Sequence, residues 1–342
     1  MAQINKSDEY FNTKLYTGNG TTGHAITGVG FQPDWVWIKN RGGAGDHALH
    51  DAIRGATKRL KSNTTDAEAT VLEGVQSFDS DGFTLGNAGN YNGSSGTYAS
   101  WNWLASNTTA SNTDGSITST VSANTTSGFS IVKYTGTGAN ATVGHGLGVA
   151  PKMVIVKKYD VTGSWGVYHH SLGNSNHLYL QNTDASISSS TIWNSTSPTS
   201  SVFSIGANAI SNGSSNTHIA YCFAEKKGFS KFGSYTGNGN ADGTFVYTGF
   251  KPAFIMVKDY TGVGNNWFIW DNKRDGYNIL NRYLRPNLSD AEGNYDAIDI
   301  LSNGFKNRNT SGSANGSGTG YIYMAFAENP LVGTNNIPAT AR

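Results

Sequence analysis

Runs of apolar residues occupy three equivalent places along the chain, and each run follows shortly after a proline. The runs are residues 35–39, 153–157 and 254–258. A strand built from any of them would be apolar on both faces along most of its length, which is typical of a strand buried on both sides. The pattern therefore predicts one central buried strand at each place.

A second pattern, in which large residues alternate with small ones, marks a later strand after each run. It occurs at residues 101–103, 221–223 and 324–326. Because side chains point alternately to the two faces of a strand, the large residues pack on one face and the small ones lie on a crowded second face. Between these two strands another is predicted at 165–168 and 267–270, with 47–50 as the counterpart.

Three copies of one sequence pattern contain these strands. Tyr-Thr-Gly begins at Tyr16, Tyr134 and Tyr235, and Asn-Gly-Ser follows within each copy at 92–94, 212–214 and 315–317. The offsets are nearly constant over the whole length of a copy, which an internal repeat explains.

The copies predict the domain boundaries. Residues between the first two copies are rich in Ser, Thr and Asn and are interpreted as a linker or an extra edge strand. The predicted units are repeat one (1–105), the linker or edge strand (106–127), repeat two (128–227), repeat three (228–329) and an extended C-terminal tail (330–342).

Pairs of glycine with Asn, Asp or Ser recur between the strands, as hairpin turns with positive φ require. Many short strands separated by such turns predict an all-β protein made of three tandem antiparallel β-sandwich domains of jelly-roll type. Only residues 51–61 and 271–284 could form a short helix.

Composition narrows the class of protein. Of 342 residues, 24 are Lys or Arg and 23 are Asp or Glu, so the formal net charge is +1. Because such a chain has no strong long-range field, we expect no binding to nucleic acid. No stretch approaches the roughly 18 apolar residues of a membrane span, so we expect no membrane insertion. With 15 Phe, 17 Tyr and 8 Trp, the chain has too much apolar surface to be disordered.

The N-terminus and the cysteine content bear on the compartment. The first residues lack the apolar region of a secretory signal, and Cys222 is the single cysteine, so no intrachain disulfide can form. The Asn-, Ser- and Gly-rich composition nevertheless resembles that of an extracellular binding protein. A protein made in a host cytoplasm and released by lysis, as virion proteins are, would have both properties.

Candidate metal ligands have a simpler structural interpretation. His47, His50 and Asp51 lie close together, but the two rings would point to opposite faces of a strand, and bulky packing residues hold their positions in the other repeats. Structural histidines are therefore favoured. Asp79 and Asp81 resemble the start of a calcium loop but lack its further ligands, which favours a turn. We expect no metal site.

Catalytic motifs are poorly represented. Residues 18–23 match the dinucleotide-binding pattern G-x-G-x-x-G, but no helix follows, which favours a turn. His169, His170 and Ser171 are compatible with a triad, but neither G-x-S-x-G nor H-E-x-x-H occurs. Cys222 is interpreted as a small packing residue, and the basic stretch 54–61 as a solvated face. We expect no catalytic residue and no cofactor.

Aromatic residues outside the repeated framework support a binding hypothesis. The candidates for ligand binding are Trp193, Tyr91, Tyr295 and Tyr277. Trp193 lies in a loop of Ser, Thr and Asn with little around it to bury an indole ring. Exposed aromatic rings suit sugar rings and protein interfaces equally well. The alternative, in which the loop folds back and packs the ring, remains open from the sequence.

Several framework segments carry a resemblance to a known family. They are residues 31–41, 51–56, 79–86 and 101–103, with matching segments at 144–147, 150–152 and 250–254. Over nearly all of residues 10–329 the repeats resemble a repeat domain of tail-fibre and tail-associated proteins of tailed bacteriophages, especially those of marine bacteria. The resemblance implies a virion surface component, often a receptor-binding or fibre part, and carries over no catalytic or binding residue.

The sequence therefore favours a non-enzymatic phage structural protein of the tail-fibre or spike type, exposed on the virion surface, that engages a host surface receptor or glycan. Its expected partners are other virion proteins and a host glycan or protein. A homo-oligomer is expected, with a trimer favoured because the family resemblance suggests a fibre. The alternatives are a purely architectural capsid-decoration or tail-adaptor protein and, less favoured, a polysaccharide depolymerase.

Overall fold

Antiparallel strands make up nearly all of the regular secondary structure, which confirms the all-β prediction. The computed structural model describes residues 3–295, 297–333 and 338–340. The predicted extended tail, 330–342, falls partly on residues 334–337 and 341–342, which lie outside the described residues. Within the described part, no helix is long and apolar enough to cross a membrane.

Repeat one contains a large sheet and a small sheet. Its strands are β1 (Phe11–Thr17), β2 (His24–Thr27), β3 (Trp35–Asn40), β4 (Ala48–Asp51), β5 (Lys58–Arg59), β6 (Ala69–Thr70), β7 (Val75–Asp79), β8 (Gly82–Leu85) and β9 (Thr97–Trp103). The large sheet has the order β1-β9-β3-β4, and the small sheet has the order β2-β8-β7, while β5 pairs with β6.

Repeat two has the same arrangement with added strands. The strands from residue 106 onward are β10 (Ala110–Asn112), β11 (Ser119–Asn124), β12 (Phe129–Thr135), β13 (Ala141–Gly144), β14 (Met153–Lys158), β15 (Trp165–His169), β16 (Asn176–Tyr179), β17 (Ile187–Ser188), β18 (Val202–Ile205) and β19 (Thr217–Phe223). The large sheet has the order β10-β11-β12-β19-β14-β15-β16-β17, and β13 pairs with β18. Residues 106–127 thus supply the two strands at one edge of this sheet.

Repeat three returns to the simpler form. Its strands are β20 (Ser230–Thr236), β21 (Phe245–Tyr247), β22 (Phe250–Asp259), β23 (Trp267–Asp271), β24 (Ile298–Leu301), β25 (Gly304–Asn307) and β26 (Gly320–Pro330). The large sheet has the order β20-β26-β22-β23, which matches β1-β9-β3-β4, and the small sheet has the order β21-β25-β24. The assignment of the three repeats to separate domains stays a prediction.

Each large sheet is apolar on both faces, as the central runs predicted. In β3, Trp35 and Trp37 point into a cluster that contains residues of all three repeats, whereas Val36 and Ile38 point into a cluster with the small sheet of repeat one. The alternation in β14 and β22 is the same. One face of every large sheet therefore packs on its own small sheet, and the other face belongs to the shared central core.

The two sequence motifs of the repeat meet at one loop. The Asn92 side chain is buried, accepts from the backbone N–H of Asn19 (2.8 Å) and donates to the carbonyl of Gly86 (2.8 Å). Asn212 and Asn315 bind the corresponding loops of their own repeats in the same way. A Cβ at Gly18 would collide with the carbonyl oxygen of the turn, so the glycine of Tyr-Thr-Gly is required by close approach.

Backbone hydrogen bonds join the repeats in a cycle. The N–H of Gly163 in repeat two donates to Thr65 of repeat one (2.9 Å), and that of Gly264 in repeat three donates to Thr183 of repeat two (3.1 Å). The N–H of Gly45 in repeat one donates to Ser289 of repeat three (2.7 Å), which closes the cycle. The three repeats therefore form one connected body.

Buried charges reinforce the same interfaces. Asp271 and Arg274 are paired at 2.6 Å with neither side chain exposed, and Asp271 also accepts from the indole N–H of Trp101 in repeat one (3.1 Å). The counterpart in repeat one is Asp51, which is paired with Arg54 at 2.5 Å. The Asp51 carboxylate also accepts from the hydroxyl of Tyr221 in repeat two (2.8 Å). Each carboxylate thus fixes its own turn and the packing of the neighbouring repeat.

The two segments that the sequence allowed to form a short helix, 51–61 and 271–284, are not helical, and the described helices lie elsewhere. Each segment begins with the aspartate just described, whose carboxylate accepts from the backbone N–H three residues later and pairs with the arginine there, which closes a turn. The four-residue α-helices are α1 (Gly89–Asn92) and α2 (Ala209–Asn212), and single 3₁₀ turns occupy Ser7–Glu9 and His170–Leu172.

Removing one buried carboxylate should be far more costly than removing an exposed one. We expect Asp271→Ala to lower the free energy of unfolding by about 3–5 kcal/mol, because the buried guanidinium of Arg274 loses its principal partner. The control Asp290→Ala, which breaks a 3.3 Å ion pair whose carboxylate is 57% exposed, should cost at most about 1 kcal/mol. Equal losses in urea titrations of the two variants would contradict the account.

Acid should destabilise the protein before most carboxylates titrate. Burial lowers the pKa of His47, His50 and His169 from 6.5 to about 3. Between these two pH values the unfolded chain binds more protons than the folded one, so the free energy of unfolding decreases as the pH is lowered. Burial raises the pKa of Asp34 to about 6, which opposes this trend between pH 6 and 3.8. The free energy of unfolding should therefore be lower at pH 5 than at pH 7, and Asp34→Asn should steepen the loss; a flat profile would refute both statements.

Candidate binding surfaces

Hydrogen bonds within the protein account for the two candidate metal-binding histidines. His47 accepts from the indole N–H of Trp37 (2.8 Å) and contacts the carbonyl of Arg285 in repeat three (2.9 Å). His50 contacts the carbonyl of Ala56 (2.6 Å) and the hydroxyl of Tyr91 (3.1 Å). Both are buried structural histidines, and His47 joins two repeats. Across the described residues, no group of three or more His, Cys, Asp or Glu is placed to hold a metal ion.

The carboxylates of the calcium-like segment belong to turns. Asp79 accepts from the hydroxyls of Ser77 and Thr84, both at 2.7 Å, and Asp81 accepts from the backbone N–H groups of Gly28 and Gly30. These contacts hold the hairpin β7–β8 against the loop after β2, as the turn interpretation predicted.

The single cysteine is a packing residue, as expected. Cys222 lies in the core of repeat two with no exposed surface, and burial raises the pKa of its thiol.

The basic stretch 54–61 was interpreted as a solvated face, and this interpretation is wrong for Arg54, the first residue of the stretch. The Arg54 side chain is 1% exposed and is paired with Asp51 and Glu68. Lys61 is paired with Asp46 (2.8 Å) and Asp66 (3.1 Å). The Arg54 guanidinium also contacts the hydroxyl of Tyr221 in repeat two (3.5 Å), and Lys58 lies 3.7 Å from Glu68, so acidic neighbours pair with Arg54, Lys58 and Lys61.

Two of the four candidate aromatic residues are buried, which corrects their assignment to an exposed binding loop. Trp193 is 2% exposed and packs edge-on against Tyr168 at 5.7 Å. Tyr91 has no exposed surface and packs against His50. Ile192, beside Trp193, is also buried in the core of repeat two. The Trp193 loop thus does fold back, and neither ring presents a face to a ligand.

The other two candidates, Tyr277 and Tyr295, are 82% and 78% exposed. Tyr277 belongs to a segment that continues the small sheet of repeat three, because Leu280 and Ile298 exchange backbone hydrogen bonds of 2.8 Å. Leu280 is buried, so its neighbour Ile279 points outward and is 52% exposed.

The opposite edge of this small sheet is also aromatic. In β21, Val246 is buried, whereas Phe245 and Tyr247 on either side are 45% and 57% exposed. Strand register places Phe245 beside Lys306 and Lys306 beside Asp299. We define the aromatic face as the exposed residues Phe245, Tyr247, Tyr277 and Ile279 at the two edges of this sheet, with Lys306 and Asp299 on the strands between them. Phe245 and Tyr247 were not among the residues predicted from the sequence, although one signal could have identified them: these two positions are aromatic in repeat three alone.

The equivalent positions in the other repeats are not aromatic. In β2 they are Ala25 and Thr27, and in β13 they are Thr142 and Gly144. In repeat two the edge is also covered, because the N–H of Ile117 donates to the carbonyl of Thr142 (3.0 Å). The aromatic face is therefore a property of repeat three and not a requirement of the repeated fold.

Two clefts lie at equivalent junctions between repeats. The first, of about 570 Å³, lies between repeats one and three, and the second, of about 540 Å³, lies between repeats two and three. The ionisable residues of the first, here called the acidic cleft, are Lys6, Asp8, Glu9, Lys273 and Glu328. Those of the second, called the lysine cleft, are Lys152, Glu225, Lys226, Lys227 and Lys231.

Comparison with known proteins yields a family without an assigned activity. Residues 6–330 match a family model described as a domain of unknown function, DUF7483. No curated protein and no solved structure matches the chain.

Stability measurements can check the different placement of the aromatic rings. We expect Trp193→Ala to lower the free energy of unfolding by about 3–5 kcal/mol, since it leaves a large cavity in the core of repeat two. Tyr277→Ala should change it by no more than about 0.5 kcal/mol, because the ring is exposed. Similar losses in chemical denaturation would show that the two rings are not packed as described.

Proposed function

We propose that this chain, which belongs to the DUF7483 family, is a non-enzymatic structural protein of a bacteriophage virion and forms part of a tail fibre or spike that engages a host surface receptor or glycan. The phage context rests on the resemblance of the framework segments, and the binding role rests on the aromatic face. The same context makes the virion surface the proposed location, with synthesis in the host cytoplasm and release by lysis.

The aromatic face is the observation that supports binding. Adjacent large exposed apolar residues are typical of interaction sites, whereas isolated ones are not, and Phe245 and Tyr247 are exposed on the same side of one strand. Tyrosine offers a large, rigid contact area at a low cost in conformational entropy, and its ring can stack on a sugar. The small sheet that bears Phe245 and Tyr247 packs on the core of repeat three, so these rings are held on a rigid support.

An architectural role is the second candidate, and one feature of the sheet favours it. Strand β21 lies at the edge of its sheet, and the equivalent edge in repeat two is covered by the chain's own residue Ile117. A strand of another virion protein could extend β21 in the same manner, with the aromatic rings packing against it. A depolymerase remains the least favoured candidate, and the absence of reducing-end release from host envelope glycan would dismiss it.

Adsorption assays test the proposal. We expect the purified protein to decorate susceptible cells and to block adsorption of the phage that encodes it. We expect the double variant Phe245→Ala/Tyr277→Ala, which removes one ring from each edge of the aromatic face, to do so at least about tenfold less well, because aromatic residues are enriched at interfaces and are frequent hot spots. The control Leu72→Ala changes a residue that is 61% exposed in repeat one and should behave as the wild type.

The position of the protein in intact particles separates the two candidates. Labelled protein projecting from the tail, together with a wild-type protein that blocks adsorption, would support the receptor-binding role. Density enclosed between other virion proteins, with no decoration of cells, would support the adaptor role instead. The mass of the protein in solution would test the proposed homo-oligomer, for which a trimer is favoured.

A further inference from the structure

The lysine cleft concentrates positive charge in a protein with little net charge. Its lining contains Lys152, Lys226, Lys227 and Lys231 but only one carboxylate, that of Glu225. Over the whole chain, basic residues exceed acidic ones by one. The positive excess in this one cavity is therefore larger than that of the entire protein.

Two of these lysines are already bound within the protein. Lys231 is paired with Glu225 at 2.8 Å. Lys226 is 7% exposed and donates to the carbonyl oxygen of Thr125. For Lys152 and Lys227, the described residues place no carboxylate oxygen within 4.0 Å of either ammonium group, and Lys227 is exposed. Both ammonium groups are therefore available to a ligand.

An aromatic ring and a fixed backbone complete the lining. Tyr247 is 57% exposed and belongs to both the cleft and the aromatic face. The turn after it depends on Gly249, whose φ of +81° disfavours a side chain. Gly228 is held against residue Ile4, so a Cβ there would meet its carbonyl oxygen at 3.0 Å. Tyr247 and the two ammonium groups therefore line a cavity with a constrained backbone.

The acidic cleft supplies an internal comparison. It lies at the corresponding junction between repeats three and one, yet its ionisable residues include Asp8, Glu9 and Glu328 against Lys6 and Lys273. The fold tolerates either sign of charge at this junction. The cationic lining of the lysine cleft is thus absent from the acidic cleft and is not a condition for forming such an interface.

We propose that the lysine cleft binds a saccharide that carries an anionic group, either a carboxylate or a phosphate. This inference rests on the proposed function, because it names the class of host glycan that the protein would engage. Ammonium groups form charge-assisted hydrogen bonds with either anion and act on them as point charges. The Tyr247 ring packs on the apolar face of the sugar, and a cavity of about 540 Å³ lies in the size range of small-ligand sites.

Calorimetric titration with defined probes tests the inference. The probes are trigalacturonate, glucose 6-phosphate, neutral maltotriose and inorganic phosphate. We expect one of the two charged saccharides to bind more tightly than maltotriose and inorganic phosphate, and which one binds identifies the anionic group. Binding should weaken by about tenfold in Lys152→Gln/Lys227→Gln, since each exposed ion pair contributes modestly, and should weaken with added salt. Tyr247→Ala should weaken it as well.

The matched control is Lys6→Gln/Lys273→Gln, which removes two lysines from the acidic cleft and should leave binding unchanged. Thermal melting of every variant verifies that the fold is intact. Absence of binding to both charged saccharides would overturn the inference. Equal binding of maltotriose or inorganic phosphate, or undiminished binding by Lys152→Gln/Lys227→Gln, would overturn it equally.

Failure of this inference can be told apart from failure of the proposed function. If the wild type and Lys152→Gln/Lys227→Gln decorate cells equally and neither binds a charged saccharide, the cleft inference is wrong while the receptor-binding role stands. If the wild type binds a charged saccharide through these lysines but decorates no cells, the cleft inference stands and the receptor-binding role is wrong.

Discussion

Packing on both faces of every large sheet is the constraint on which the rest of this structure depends. Because alternate residues of a strand point to opposite faces, a sheet with two apolar faces needs two partners. The small sheet of the same repeat covers one face, and only the other repeats can cover the second. Ring contacts cross each of these junctions: Trp35 stacks on Tyr221 at 4.3 Å, Phe11 on Phe326 at 5.0 Å, and Phe223 lies 6.1 Å from Phe326.

The same constraint explains why several lysines are buried between the repeats. Lys39, Lys157 and Lys258 end the central strands with no exposed surface, and burial lowers the pKa of each to about 8. Their ammonium groups donate to loop carbonyls, and Lys157 reaches Thr65 of the preceding repeat at 2.9 Å. Part of a small complement of charged residues is thus committed to holding the repeats together. Against this background, the lysine cleft and the aromatic face stand out as features of the exterior that the packing does not require.

The sequence was sufficient to predict the central strands and the turn at Asn92, because the strands follow from local apolar patterns and the turn from residues that recur in each repeat. It was not sufficient for the junctions, because contacts such as Asp271 with Trp101 join residues far apart in the chain. The same limitation explains why Trp193 was assigned to an exposed loop, since its surroundings are polar in sequence and apolar in space. Tyr277 could be identified as a candidate, but Phe245, Tyr247 and the lysine cleft required the strand register and the approach of two repeats.

The closing contact between the first and third repeats has a consequence for biosynthesis. Arg41 is paired with Glu292 at 2.9 Å across 251 residues of chain, and Gly45 bonds to Ser289 nearby. During translation, the face of the repeat-one sheet that packs on repeat three stays uncovered until most of the polypeptide has emerged from the ribosome. Long-range contacts of this kind slow folding, and until they form, the folding intermediates expose apolar surface that is prone to aggregation. A chain that ends before residue 292 lacks this closing contact and leaves that face of repeat one uncovered.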